Sequence, residues 1–276
     1  MAQSHQNASP SPFAHTPDWR VAVAILAAVA GLCVTGFLML AEGVGSGAID
    51  RFDERLLLAM RNTEDLGDPI GPRWVEEAMR DFTALGGVVI STLVTAGAVA
   101  LLALKRKASM AIFLALAVAT GVTLCLFLKS AYDRPRPQLA PHGSHVYTKS
   151  FPSGHTMTAA TAYLTLGVML ARVQRRRSVK WFLVASAVAV TLLVGLSRVY
   201  LAVHWPSDVL AGWALGAAWA SLCWIAALLI TRQLHRSRGR RASRMAEEMT
   251  DAPAPDEPTI EPVAGRPSGS ALEAAQ

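Results

Sequence analysis

Apolar residues in this chain come in long uninterrupted runs. Val21 to Leu40, Phe82 to Leu104 and Ala108 to Leu128 carry no charge, and each suits the roughly 20 helical residues that cross a hydrocarbon core about 30 Å thick. Thr156 to Ala171, Trp181 to Ser197 and Val209 to Thr231 follow, the first two short enough to need residues beyond their ends to complete a span. The pattern predicts an all-α, polytopic membrane protein with six transmembrane helices over residues 20–231. The flanking tails, 1–19 and 232–276, are set apart by composition. Residues 1–19 and those from about 242 onward are rich in Ala, Pro, Ser and charge, the composition of disordered chain. The first run exceeds the roughly 7 to 15 apolar residues of a secretory leader, so it reads as a retained helix.

Between the first two runs the pattern changes. Asp50 to Asp81 holds nine acids against five arginines, yet Trp74, Val75, Ala78, Met79 and Phe82 recur at helical spacing. That predicts an amphipathic helix lying on the membrane surface, either an interfacial anchor or a guide beside a site.

Composition agrees with the pattern: 52% of the 276 residues are hydrophobic and the mean hydropathy is +0.34, values that exclude an ordinary soluble domain. Cys33, Cys125 and Cys223 fall inside apolar runs and read as small buried hydrophobes. The positive charge is concentrated in three places: Lys105 to Lys107, Arg172 to Lys180, and Arg232 to Arg241. Short cytoplasmic loops are enriched in Lys and Arg, so these segments and both termini are expected in the cytoplasm, and the intervening segments on the outer face of the membrane, the inner one if the source is bacterial. The bilayer and its lipids are the expected partners, with no nucleic acid.

No Lys, Arg, Asp, Glu or His interrupts the middle of any run, which argues against a mid-membrane ion or proton pathway. Polar candidates sit at run ends, in two segments on the same predicted outer face: Lys129 to His155 and Ser197 to Asp208. Ser153 is placed to cap the fourth helix, and Gly154 lets a ligand approach free backbone N–H groups, which suits an anion. Pro206 suits the first turn of the sixth helix, with Asp208 near its positive end and His204 just before it. Two histidines and an aspartate could ligate a metal, but Lys129, Arg136 and Arg198 would repel a cation, whereas they match a phosphate or pyrophosphate. No metal or cofactor is expected. Singly, each residue also has a structural reading, as a snorkelling cation, a helix cap or an interfacial histidine.

The joint spacing is more specific. Lys129 with Arg136-Pro137 after six residues, then Pro152-Ser153-Gly154-His155, then Ser197-Arg198 with His204 after five and Asp208 after three more, resembles the three-part signature of the type 2 phosphatidic acid phosphatase superfamily. That family includes bacterial lipid phosphatases and the vanadium-dependent haloperoxidases. The "RDFTALGG" stretch, Arg80 to Gly87, is also similar to bacterial members. The resemblance implies hydrolysis of a phosphate ester or pyrophosphate, with undecaprenyl pyrophosphate, phosphatidic acid and phosphatidylglycerophosphate as candidate lipids. It implies His204 as nucleophile, Asp208 orienting it, and His155 as general acid and then base. Lys129, Arg136, Arg198, Ser153 and Gly154 would hold phosphoryl oxygens. "DRPRP" contains a second Arg-Pro pair, so Arg134 is a possible further anion contact. His142, His145, Tyr147 and Lys149 could read a head group. Transfer of the phosphoryl group to an acceptor, and a non-catalytic lipid-phosphate binding or transport protein, are the alternative readings.

Overall fold

The computed structural model describes residues 19–138 and 149–251. His142, His145 and Tyr147 lie outside the described residues. The elements are helical: α1 (Trp19–Ser46), α2 (Asp50–Leu58), α3 (Arg73–Leu85), α4 (Val88–Leu104), α5 (Ala108–Ala131), α6 (Gly154–Ala159), α7 (Thr165–Val173), α8 (Arg177–Tyr200) and α9 (Pro206–Asp251). A π-helical turn, Ala160–Leu164, joins α6 to α7 into one continuous span of 20 residues. Among the described residues five helices are therefore long and apolar enough to cross a membrane, six when α3 and α4, bent by 52° at their junction, are counted as one span.

That bend departs from the straight run predicted from Phe82. Phe82 to Leu85 belong to α3, the predicted amphipathic helix, which packs against α8 and turns into the membrane-crossing helix only at Val88. Gly86 and Gly87 explain the break. A Cβ on Gly86 would lie 2.5 Å from Val194 Cγ1 and 2.9 Å from the His155 carbonyl, so only glycine allows this approach. Breaking a helix inside a bilayer leaves carbonyls without partners. Here the Leu85 carbonyl accepts the Tyr163 hydroxyl at 2.7 Å and the Ser91 hydroxyl at 3.1 Å.

Span four is the centre of the bundle, 56% buried against 11% for α1, which faces outward at the edge. Its small residues make this possible. Ala159 and Ala160 are fully buried, and α9 closes on the same helix through glycines: a Cβ on Gly212 would meet the Ser153 carbonyl at 2.9 Å, and one on Gly216 the Met157 carbonyl at 2.9 Å. Membrane helices associate through such small-residue contacts, because lipid supplies little hydrophobic drive between them. Two apolar clusters flank the end of the bundle that carries the candidate site. Phe37, Cys125, Phe151, Met157 and Leu215 form one, and Leu57, Val199, Ala202 and Val209 the other. The latter docks α2 onto α8 and α9. Beyond the predicted end of the sixth run at Thr231, α9 continues as helix to Asp251, and the chain from Leu234 onward forms a separate unit.

Candidate active site

The interval between Arg198 and His204 is the length of one helix-ending turn. Ala202 takes a left-handed φ of 52°, its N–H donates to the Val199 carbonyl at 2.9 Å, and the Val203 N–H donates to the Arg198 carbonyl at 3.1 Å. These are the paired bonds of a Schellman close, with alanine where glycine is usual. The His204 N–H also reaches the Arg198 carbonyl, at 3.3 Å, so His204 is tied to the backbone of Arg198. Pro206 then opens α9, and Asp208 reaches back so that its Oδ2 accepts the Trp205 N–H at 3.0 Å. This is the acidic half of a capping box.

The hydrogen bonds around His204 fix its tautomer. Arg136 Nη1 lies 3.1 Å from Nε2, and a guanidinium only donates, so Nε2 carries the lone pair. Nδ1 therefore carries the proton. It faces Ser150 Oγ at 3.2 Å and Asp208 Oδ2 at 3.4 Å, while the Ser150 hydroxyl gives its own proton to Asp208 Oδ2 in a short bond. The ring is 1% exposed, and burial, reinforced by the positive charges of Arg198, Arg136 and Lys129, holds its pKa well below the ordinary value. His204 is thus a neutral imidazole with Nε2 free of hydrogen, the form a nucleophile requires.

The cations converge on the same side. Lys129, in the last turn of α5, donates to the Lys149 carbonyl at 2.8 Å, and Arg136 donates to the Val203 carbonyl at 2.7 Å. Arg198 Nη1 donates to Thr83 Oγ1 of α3 at 3.0 Å, while its Nε is buried without a hydrogen-bond partner among the described residues. A buried unsatisfied donor is costly, and an anion oxygen would satisfy it. His155 stands in the first turn of α6, half-buried, close enough to act electrostatically on His204, and a Cβ on Gly87 would come within 3.7 Å of its Nε2. Gly154, the first residue of α6, lies against Lys129: a Cβ there would be 3.3 Å from the lysine Cε.

Several expectations are corrected. Ser153 occupies the N-cap position, but its hydroxyl bonds Thr156 Oγ1 at 2.8 Å and caps no backbone N–H; its own N–H donates to the Asp208 carbonyl at 3.0 Å. The expected pairing of Asp208 with His204 is present at 3.4 Å, with the Ser150 hydroxyl bonded to both. Arg134 is no anion contact: its fork is committed to Asp208 at 2.8 Å and Asp53 at 2.7 Å, with Asp50 at 3.2 Å. The Lys149 side chain pairs with Asp133 at the surface, leaving only its carbonyl at the site. Sequence reasoning missed Ser150, Asp53 and Thr83. Ser150 lay three residues before the signature serine; Asp53 lay in the acidic segment read as an anchor or guide, and Thr83 at the start of the second apolar run, inside the Arg80 to Gly87 stretch.

A cavity of about 680 Å³ lies beside this site, lined by Val44, Tyr132, Pro135 and Trp205 and by the acids Asp50, Glu54 and Asp133. Neither histidine nor Arg198 lines it, and on its wall three acids outnumber the one arginine, Arg134, which suits a phosphate poorly.

A membrane-embedded helical bundle that ends in a neutral buried histidine surrounded by fixed cations defines a class of phosphoryl-handling proteins, and residues 110–232 match the model of the PAP2 superfamily. The chain belongs to that superfamily and is an integral-membrane phosphatase. It is 33% identical over 185 residues to phosphatidylglycerophosphatase B of Bacillus subtilis, covering 65% of this chain and 85% of that protein. Over 72 residues it is 42% identical to an undecaprenyl-diphosphatase of Sulfolobus acidocaldarius, covering 26% of this chain and 30% of the relative. The crystal structure of a transmembrane PAP2 type phosphatidylglycerolphosphate phosphatase from Bacillus subtilis aligns with a TM-score of 0.61 at 29% identity, covering 70% of this chain and 93% of that one.

Proposed function

We propose that the protein hydrolyses the phosphate monoester of a membrane lipid, with phosphatidylglycerophosphate the leading candidate, through a phosphohistidine on His204. The observation that carries this reading is the contact set of His204: the donor Arg136 Nη1 at Nε2 and the Ser150–Asp208 pair at Nδ1. In the first step Nε2 attacks phosphorus, the bond to the lipid oxygen breaks, and His155, protonated once the bound phosphate's negative charge offsets the surrounding cations, gives its proton to that oxygen. In the second step His155 takes a proton from water, the water oxygen attacks phosphorus, and the P–N bond breaks to return the pair to Nε2. Lys129, Arg136, Arg198, Ser153 and the Gly154 N–H hold the oxygens throughout. Arg136 must hand its contact with Nε2 to the phosphate as substrate enters. Three fixed cations supply the charge stabilisation that a metal gives other phosphatases.

The site lies at a helix-end boundary, where a lipid phosphate rests while its chains stay in the bilayer. The basic loops at Lys105 to Lys107 and Arg172 to Lys180 follow spans two and four, which supports an outward-facing site and cytoplasmic termini. The matches in sequence and in structure to Bacillus subtilis phosphatidylglycerophosphate phosphatase are the basis for ranking phosphatidylglycerophosphate first.

The test is phosphate release by the purified protein in detergent with excess chelator, across phosphatidylglycerophosphate, phosphatidic acid, undecaprenyl pyrophosphate and a soluble phosphomonoester. Chelator-resistant release, highest kcat/KM on phosphatidylglycerophosphate, is expected. Label appearing on an alcohol acceptor in place of water would convert the reading to phosphotransfer. Arg198→Lys is expected to lower kcat/KM about a hundredfold on the preferred lipid, because a lysine keeps the charge but loses the planar fork. Wild-type turnover in that variant would remove Arg198 from the site.

A further inference from the structure

A carboxylate outside the three-part signature ends a line of polar contacts that begins at His204. Asp53, in α2, is fully buried; its Oδ1 accepts the Ser207 N–H at 2.8 Å, and its Oδ2 accepts Arg134 Nη2 at 2.7 Å together with the Ser207 hydroxyl. The other edge of the guanidinium continues the line, with Arg134 Nη1 donating to Asp208 Oδ1 at 2.8 Å and to Ser207 Oγ at 2.7 Å. Asp208 Oδ2 then accepts Ser150 and faces His204 Nδ1.

We propose that Asp53 is a positioning residue for the hydrolysis: by holding one edge of the Arg134 fork, it fixes the other edge on Asp208 Oδ1, and Arg134 so placed holds Asp208 with Oδ2 turned to Ser150 and His204. The proposal rests on His204 being the nucleophile. An arginine facing one carboxylate tends to engage both its oxygens in a bidentate pair. Here the fork is split between two carboxylates, and each Asp208 oxygen has a separate duty: Oδ1 takes Arg134, while Oδ2 takes Ser150 and the Trp205 N–H. Docking α2 does not require this arrangement. Leu57, fully buried against Val199, Ala202 and Val209, already fastens the helix, and burying ions in place of apolar groups seldom adds stability. Asp50 also approaches Arg134 Nη2, at 3.2 Å, but its side chain is 66% exposed and solvent weakens its hold.

The experiment compares Asp53→Asn, Arg134→Gln and their double variant with Leu57→Ala, all as full-length protein in detergent. Asp53→Asn is expected to lower kcat about thirtyfold, with KM and the inhibition constant for orthovanadate within about twofold, because ground-state phosphate contacts are untouched. The double variant is expected to be no slower than Arg134→Gln, since two members of one line do not add. Leu57→Ala, which loosens α2 without touching a charge, is expected to lower the thermal midpoint and leave kcat within about twofold. The proposal is overturned by wild-type kcat in Asp53→Asn, by additive losses in the double variant, or by kcat, KM and vanadate inhibition all moving together. Should Asp53→Asn not yield folded protein, Arg134→Gln carries the same decision: loss confined to kcat supports the line, and unchanged kcat overturns it.

A second readout separates this proposal from the nucleophile assignment. In protein labelled with ¹⁵N-histidine, the Nδ1–H signal absent from His204→Ala belongs to His204. A shift of that signal in Asp53→Asn supports the line even if His204→Ala still turns over, an outcome that would sink the nucleophile alone; an unmoved signal overturns the line.

Discussion

Replacing His204 with alanine is expected to lower kcat by roughly four orders of magnitude or more, the loss usual when a covalent catalyst loses its nucleophile. The argument does not depend on family membership alone. Nε2 is held without hydrogen by the Arg136 contact, Nδ1 is held with hydrogen by Ser150 and Asp208, and the ring is buried among cations that keep it neutral. No other described nitrogen combines those three conditions. The measurement is single-turnover labelling with a ³²P-phosphorylated lipid, quenched in alkali, where phosphohistidine survives. Wild-type protein should trap label and the alanine variant should not. Label trapped on the variant would place the nucleophile elsewhere.

His155→Ala is expected to show the next largest effect, about a thousandfold in kcat on a lipid monoester, because an alkoxide is a poor leaving group without a proton donor. The loss should depend on the leaving group. With a nitrophenyl phosphate, whose oxygen leaves unprotonated, the first step needs no acid but the second still needs a base. The variant should then release a burst of nitrophenol equal to the enzyme concentration and stall as the phosphohistidine. Equal losses on both substrates with no burst would mean that His155 holds phosphate instead of moving protons.

Much of this was readable from residue order. Six spans follow from apolar run length because a bilayer leaves a chain few options, and the signature residues fall where run ends meet polar segments. The internal architecture of span two was not legible. Glycines at 86 and 87 interrupt an apolar run without changing its hydropathy, and the reason for them, the approach of Val194 and His155, lies in other helices. The carboxylate network was hidden for a related reason. Asp53 is one of nine acids in a polar stretch, and nothing local distinguishes the fully buried one from its exposed neighbours. Arg134 could not be assigned from sequence, because an arginine beside an anion site looks the same in sequence whether it faces phosphate or carboxylate. Distances alone separate the cases.

The turn at Ala202 has a mechanical meaning. Bilayers differ in thickness, and membrane helices respond by tilting and sliding against one another. Lys129 and His155 ride on separate helices and shift with them. Arg198 and His204 do not, because the bonds from Val203 and His204 to one carbonyl make the helix end and the following loop a single stiff piece. The backbones that carry a phosphate grip and the attacking ring keep their spacing whatever the surrounding lipid does, so strain from a mismatched membrane falls on the acid–base partner.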